Sequence, residues 1–443
     1  MLLARTGNAV YASDGADTEA LRTTAAELAQ EGVETRLGGH DLERIARASL
    51  VVASPGVPPS ASPLAAARRA GVDVVSEVEI GLRFLPTLRY VAITGTNGKT
   101  TTTAMAAHLL GALGHRAVAA GNIGTPLAEL AMQGAPPDWV ALEMSSFQLH
   151  DTPGIRPDVG VFTNVSPNHL DRYASADEYY GDKQLLFRNA TAESQWVVNR
   201  DDPIVCRLAA QVPGIHCGFS LGDEADAWYD VGTQRLFALG CPLLRRDELA
   251  LLGDHNVANA LAAALAVMLA DPAHRTPEAV ERLANGLRTF RSLAHRIEVV
   301  AEAGGVQWIN DSKSTNVAST LVALRGMTRP TVLLLGGRHK GEPYTALVPE
   351  LRRVKRVIAY GEAAPLITRD LAGAVAVEQG GTDFSDVVAR ARAATLPGDA
   401  VLLSPACSSF DMFANYEERG HAFKQLVSRV GPGASEGSAP PRR

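Results

Sequence analysis

The residues with the clearest chemistry are Lys99 and Thr100, in the stretch Arg89–Thr103, which reads R-Y-V-A-I-T-G-T-N-G-K-T-T-T-T. Tyr90–Ile93 is a β-branched and aromatic run and reads as a buried strand. Thr94–Gly98 is a turn with two glycines, and Thr100 opens a helical pattern. Strand, Gly-rich turn, Lys-Thr and helix make up a phosphate-binding loop. Gly95 and Gly98 let backbone approach a phosphate, Lys99 reaches its terminal oxygens, and the Thr100 hydroxyl suits Mg²⁺. The general pattern G-x-x-x-x-G-K-[S/T] is shortened here to G-T-N-G-K-T.

Other candidates sit where predicted strands end. Glu143 closes the strand Trp139–Leu142, and an acid there can hold Mg²⁺ beside a phosphate loop. His169 follows the strand Val159–Thr163 within N-V-S-P-N-H-L-D-R and suits a metal or substrate contact. Lys183 falls in a helical stretch, Ala176–Ala190, where a lysine by itself reads as solvated. Asn256 and Asn259 share a face at the start of an Ala/Leu helix and fit either an adenine or phosphate contact or a cap. Further on, Asp311–Asn316, Gly336–Gly341 and Ser404–Phe410 are polar or Gly-rich turns at strand ends. There Lys340 and the Ser408/Ser409 pair could hold a small carboxylate-bearing substrate. Asp383 reads as a helix start without a chemical role.

These turns need parallel sheets behind them, because ligands on open α/β sheets bind beyond the carboxyl ends of strands. In the first segment, Asp14 and the turn Ser54-Pro55-Gly56 lie at such ends. Met1–Thr6 reads as the last turn of a helix with Gly7 as its cap, so this segment is expected to lack its first strand. At 443 residues, several domains are expected: 1–88, 89–290 and 291–430, followed by a Gly/Ser/Pro-rich tail, 431–443.

Composition excludes several classes. The net charge is −6 with no Lys/Arg block, so no nucleic-acid surface is expected. The four cysteines (Cys206, Cys217, Cys241, Cys407) have neither metal-ligand spacing nor the density of a disulfide scaffold, and suit a reducing cytoplasm. No apolar run is long enough to span a membrane, and no signal-peptide layout is present, so a cytoplasmic protein is expected.

Taken together, G-T-N-G-K-T-T-T-T, G-N-I-G, L-E-M-S-S-F-Q-L, N-H-L-D-R-Y, G-D-H-N-V-A-N-A, H-R-I-E, N-D-S-K-S-T-N, L-G-G-R-H-K and S-P-A-C-S-S-F-D-M-F resemble the Mur ligases over about Asp14 to Leu426. The resemblance implies an α/β protein of three domains: an N-terminal Rossmann-like domain for a UDP-sugar, a central parallel-sheet ATPase-like domain, and a C-terminal Rossmann-like domain for the incoming amino acid. S-S-F-Q-L and S-P-A-C-S-S-F-D-M-F favour addition of D-glutamate to UDP-N-acetylmuramoyl-L-alanine over the additions of L-alanine, diamino acids or dipeptides.

Carried onto this sequence, the loop Gly95, Thr96, Asn97, Gly98, Lys99, Thr100 and Thr101 holds ATP phosphates, with Asn256, Asn259, Arg296 and Asp311 completing that site. Thr100 and Glu143 bind one Mg²⁺; His169 and a carbamate on Lys183 bind a second. Lys313 is placed where negative charge develops. Thr315, Lys340, Ser409, Phe410 and Tyr416 form the D-glutamate pocket, and Asp14, Ser54, Pro55, Gly56 and Asn122 touch the UDP-sugar. Two departures stand out: the missing first strand and its Gly-rich turn, and a His169–Lys183 spacing about a residue short. A monomer is expected. The alternatives are another Mur or folylpolyglutamate-type ligase, or a nucleotide- or UDP-sugar-binding protein without turnover.

Overall fold

The protein's structure is a computed structural model that describes residues 1–54, 57–58, 60–168 and 172–429. Pro55, Gly56, His169 and the tail 431–443, singled out above, lie outside the described residues. The chain divides into two compact units, Met1–Leu249 with Val257–Phe290, and Ala250–Asn256 with the residues from Arg291 on.

The first unit opens with a short helix, Leu2–Arg5, after which Gly7 takes the left-handed conformation expected of a cap. Strands β1 (Tyr11–Ser13) and β2 (Glu34–Arg36) pair in parallel, as do β3 (Val51–Ala53) and β4 (Val74–Ser76). The alternating pattern predicts one parallel sheet here. The described residues form two separate two-stranded ones instead, each joined by only three residue pairs.

The unit's main sheet has nine strands. They are β5 (Tyr90–Thr94), β6 (Ala117–Gly121), β7 (Trp139–Glu143), β8 (Val159–Phe162), β9 (Gln195–Asn199), β10 (Ile215–Ser220), β11 (Ala227–Asp230), β12 (Arg235–Ala238) and β13 (Cys241–Arg245). Their order is β13-β12-β11-β10-β9-β8-β5-β7-β6. Pairing is parallel except for β11–β12 and β12–β13. Every residue of β5, β7 and β8 is buried, as a strand covered on both faces requires. The order reverses at β5: the chain fills β6 and β7 on one side, then crosses to β8 on the other. The carboxyl end of β5 therefore opens on a topological switch point. Register sets Ile93 beside Glu143 and Thr94 beside Phe162, so the turns after β5, β7 and β8 meet at one edge.

The second unit has strands β14 (Glu298–Ala303), β15 (Val306–Asn310), β16 (Thr331–Gly336), β17 (Val354–Tyr360), β18 (Val377–Gly381) and β19 (Ala400–Leu403). Their order is β14-β15-β19-β16-β17-β18, parallel except for β14–β15. Two apolar clusters, one around Leu333, Leu335 and Leu402 and one around Trp308, Leu334 and Leu403, use side chains that alternate along the same strands. Asp383 caps the helix Phe384–Ala393 through Ser385 N, as the sequence suggests. Among the described residues no helix is long and apolar enough to cross a membrane.

Candidate active site

The turn after β5 leads into the helix Lys99–Ala112, whose first turn holds Thr100 and Thr101. Two of its glycines are sterically required. Gly95 has φ +147° and Gly98 φ +81°. A Cβ at Gly95 would run into Thr163 Oγ1, and one at Gly98 into Asn259 Oδ1. The turn is fastened from β8: Thr96 N donates to Asn164 O (2.8 Å), Asn97 N to Asn164 Oδ1 (2.8 Å), and Thr163 Oγ1 to Asn97 O (2.8 Å). From the β7 side, Thr94 Oγ1 donates to Met144 O (2.8 Å). Lys99 Nζ folds over the turn and donates to Gly95 O (2.9 Å) and Thr96 O (2.8 Å). A helix N-terminus behind a rigid Gly-rich turn is an anion site.

Glu143, ending β7, is 1% exposed. Its Oε1 accepts from Asn122 Nδ2 (2.7 Å), while its Oε2 is buried without a partner. A buried carboxylate oxygen left unsatisfied is costly, so it marks a place for a cation. Among the described residues no three His, Cys, Asp or Glu side chains are grouped so as to hold a metal ion by themselves. A hydroxyl, one carboxylate and phosphate oxygens suit Mg²⁺, which keeps few protein ligands. Thr100 and Glu143 thus fit that ion. Asn122, expected at the UDP-sugar, is the residue that donates to Glu143.

Lys183 corrects its local sequence reading. It is 1% exposed, because Tyr179 and Lys183 stand one turn apart on the inward face of the helix Ala176–Gln184. Its Nζ donates to Gly95 O (2.7 Å) and lies 4.7 Å from the Tyr179 ring centre. Burial, and then the charge of Lys99, push its pKa well below the ordinary lysine value. Tyr179 also bonds Thr96 Oγ1 (3.2 Å).

The sequence reading assigned no role to Thr163, Asn164 or Tyr179. For the first two the signal was present, since they begin the polar turn after β8; Tyr179 offered none. Asn259 accepts from Thr102 Oγ1 (3.2 Å) beside Gly98. Asn256 belongs to the second unit, where its Nδ2 donates to Leu252 O (2.7 Å). Asp14 accepts from Ala16 N at the end of β1, and Ser54 follows β3, so these two stand on separate small sheets.

In the second unit, β15, β19 and β16 are neighbours, so their three polar turns share one edge. Lys340 Nζ donates to Thr315 Oγ1 (3.2 Å), and Lys313 Nζ to Tyr416 OH (3.1 Å). Arg338 and Ser408 exchange backbone hydrogen bonds (2.9 and 3.2 Å), which locks two of the turns together. Ser409 is buried, whereas Phe410 is 62% exposed. Arg296 stands between two non-glycine residues of positive φ, His295 (+65°) and Ile297 (+44°), a strained backbone that surrounding bonds hold in place.

Asp311 does some of that holding. Its Oδ1 accepts from Ile297 N (3.1 Å) and its Oδ2 from Ser314 Oγ (2.5 Å) and Ser404 Oγ (2.8 Å). Burial pushes its pKa up from 3.8 to about 6. A carboxyl whose folded pKa is raised contributes stability at low pH that is lost as pH rises through the folded value. Stability is therefore expected to fall between about pH 4 and 6, by roughly 3 kcal/mol from this group. Urea melts of wild type and Asp311→Asn should diverge in that window; parallel curves would remove the assignment.

Family models match three parts of the chain: the Mur ligase MurD-like N-terminal domain over residues 5–76, the Mur ligase middle domain over 93–267, and the Mur ligase glutamate ligase domain over 295–407. The chain is 42% identical to the UDP-N-acetylmuramoylalanine–D-glutamate ligase of Anaeromyxobacter dehalogenans (strain 2CP-C), over 96% of this chain and 94% of that one. It is 39% identical to the ligase of the same name from Salinibacter ruber (strain DSM 13855 / M31), over 97% and 94%. Among solved structures, a pseudomurein peptide ligase type C from Methanothermus fervidus shares the fold, with a TM-score of 0.59, 18% identity and coverage of 97% and 96%. The chain belongs to the Mur ligase family and has its three-domain α/β fold.

Proposed function

We infer that this chain is an ATP-dependent ligase that joins D-glutamate to UDP-N-acetylmuramoyl-L-alanine in peptidoglycan synthesis. The observation that carries the ATP half is the rigid phosphate loop with the unsatisfied Glu143 Oε2 beside it. The amino acid and nucleotide sugar follow from the full-length likeness to ligases named for that reaction.

A carboxylate and an amine do not form an amide in water without activation. The alanyl carboxylate of the nucleotide sugar attacks the γ-phosphoryl group, giving an acyl phosphate and ADP. The D-glutamate amine then attacks the acyl carbon, and phosphate leaves. Lys99 and the helix N-terminus stabilise the charge that grows on the transferred group. Thr100 and Glu143 would hold Mg²⁺, which when bound would supply further charge neutralisation. We assign a second ion to His169 and to Lys183 as its carbamate. Burial pushes the Lys183 pKa down, which favours the free amine that can attack CO₂; that step forms a C–N bond, releases a proton and would leave an anion suited to a bound cation. Thr315, Lys340, Ser409, Phe410 and Tyr416 are assigned to the amino acid, Lys313 to the charge that develops in the reaction, Asn256, Asn259, Arg296 and Asp311 to ATP, and Asp14, Ser54, Pro55, Gly56 and Asn122 to the nucleotide sugar. The domains are proposed as 1–88, 89–290 and 291–430. We further propose a cytoplasmic monomer.

The test is phosphate release from Mg·ATP with UDP-N-acetylmuramoyl-L-alanine, with D-glutamate, L-glutamate, L-alanine or nothing added. Release that requires both the nucleotide sugar and D-glutamate is expected. Release driven equally by L-alanine, or without any amino acid at full rate, would overturn the assignment.

A further inference from the structure

Arg419 is completely buried in the second unit, and all its hydrogen bonds go to neutral oxygens. Among the described residues no carboxylate lies within ion-pair distance of it. A guanidinium keeps its charge, so a full positive charge is buried with no ion-pair partner among the described residues. Such a cost is seldom kept for stability alone.

Its bonds reach two turns. Nε donates to Ser312 Oγ (2.9 Å) and Nη2 to Ser312 O (2.8 Å), in the turn after β15. Nη1 and Nη2 both donate to Cys407 O (3.2 Å each), in the turn after β19. Ser312 Oγ in turn donates to Tyr416 O (2.8 Å), on the same helix, Tyr416–Ser428, that carries Arg419. The turn after β16 also closes on this point: a Cβ at Gly337 would meet Ser408 O and come within 3.2 Å of Arg419 Nη1. One planar fork thus joins the turn bearing Lys313 and Thr315 to the turn bearing Ser408 and Ser409, under the turn bearing Lys340.

We propose that Arg419 is a positioning residue for the amino-acid substrate, fixing the spacing of the two turns that grip it. The proposal rests on the assignment of those turns to D-glutamate. A lysine keeps the charge but cannot span two acceptors in one plane. Arg419→Lys is therefore expected to raise KM for D-glutamate at least tenfold, with KM for ATP and for the nucleotide sugar within twofold of wild type. Ser312→Ala, which removes the Nε acceptor together with the bond to Tyr416 O, should shift the same KM in the same direction, and the double variant should be no worse than Arg419→Lys. An unchanged D-glutamate KM in both single variants, or an equal rise in all three KM values, overturns the proposal. Thr315→Ala and Lys340→Ala separate the two levels. If they raise KM for D-glutamate and Arg419→Lys does not, the positioning role alone is wrong; if they too leave it untouched, the pocket assignment is wrong.

Discussion

Lys99→Ala is expected to lower turnover at least a hundredfold while leaving the fold intact. Lys99 opens the helix at the switch point, and its Nζ already rests on the carbonyls of Gly95 and Thr96. Those weak neutral acceptors would give way to phosphate oxygens, which bind an ammonium more strongly. Loss of one well-placed donor to developing charge costs about 3 kcal/mol of transition-state stabilisation. Loss of two hydrogen bonds at a partly exposed turn costs far less in stability, on the order of 1 kcal/mol. Lys99→Arg should recover little, because a planar fork cannot replace a point charge in a turn this tight. ADP formation measured beside a thermal melt separates the two quantities. Wild-type turnover in Lys99→Ala would remove the phosphate-loop assignment.

Lys183→Met is expected to move activity and stability in opposite directions. Methionine nearly matches lysine in shape and removes the desolvation cost of a buried ionisable group, so the fold should gain about 1 kcal/mol or more. Turnover should fall to background, since no carbamate can form and the second ion loses its ligand. The pH dependence carries the same signature. The folded pKa of Lys183 lies below its ordinary 10.5, so the unfolded chain binds more protons between the two values. Stability should rise with pH across that window in bicarbonate-free wild type, and this part of the rise should vanish in Lys183→Met. Bicarbonate should restore turnover to depleted wild type and do nothing for the variant. Substantial turnover in Lys183→Met would end the carbamate reading.

The difference between Lys99 and Lys183 shows what patterning can reveal. Lys99 is local: strand, glycines and helix start are adjacent in sequence, and the structure reproduces β5 to within a residue of expectation. Glu143 and Asn164 are also legible, because each follows a buried apolar run. Lys183 is not. Its helix has almost no amphipathic contrast to say which face turns inward, and its partner Gly95 lies 88 positions earlier. Arg419 fails for the same reason, since a charge beside Glu417 and Glu418 reads as a solvated face. Asp311 was legible as a polar residue at a strand end, but not as one whose oxygens are already used by Ile297, Ser314 and Ser404. Strands β9–β13 carry no chemical motif, and no sequence period fixes the order in which parallel strands pair.

The two small sheets of the first segment have a kinetic consequence. Only Val33 and Ile45 are buried among the first fifty residues, and a two-stranded pair with so little cover is marginal on its own. Backbone amides of β1 and β2 would therefore exchange with solvent long before those of β5 or β7. A ligand that holds this segment adds to its local opening free energy by mass action, roughly 2.7 kcal/mol at a hundred times its dissociation constant. Occupancy of the nucleotide-sugar site would then be recorded as slowed deuterium uptake in residues 11–36, even where the melting of the nine-stranded sheet does not move.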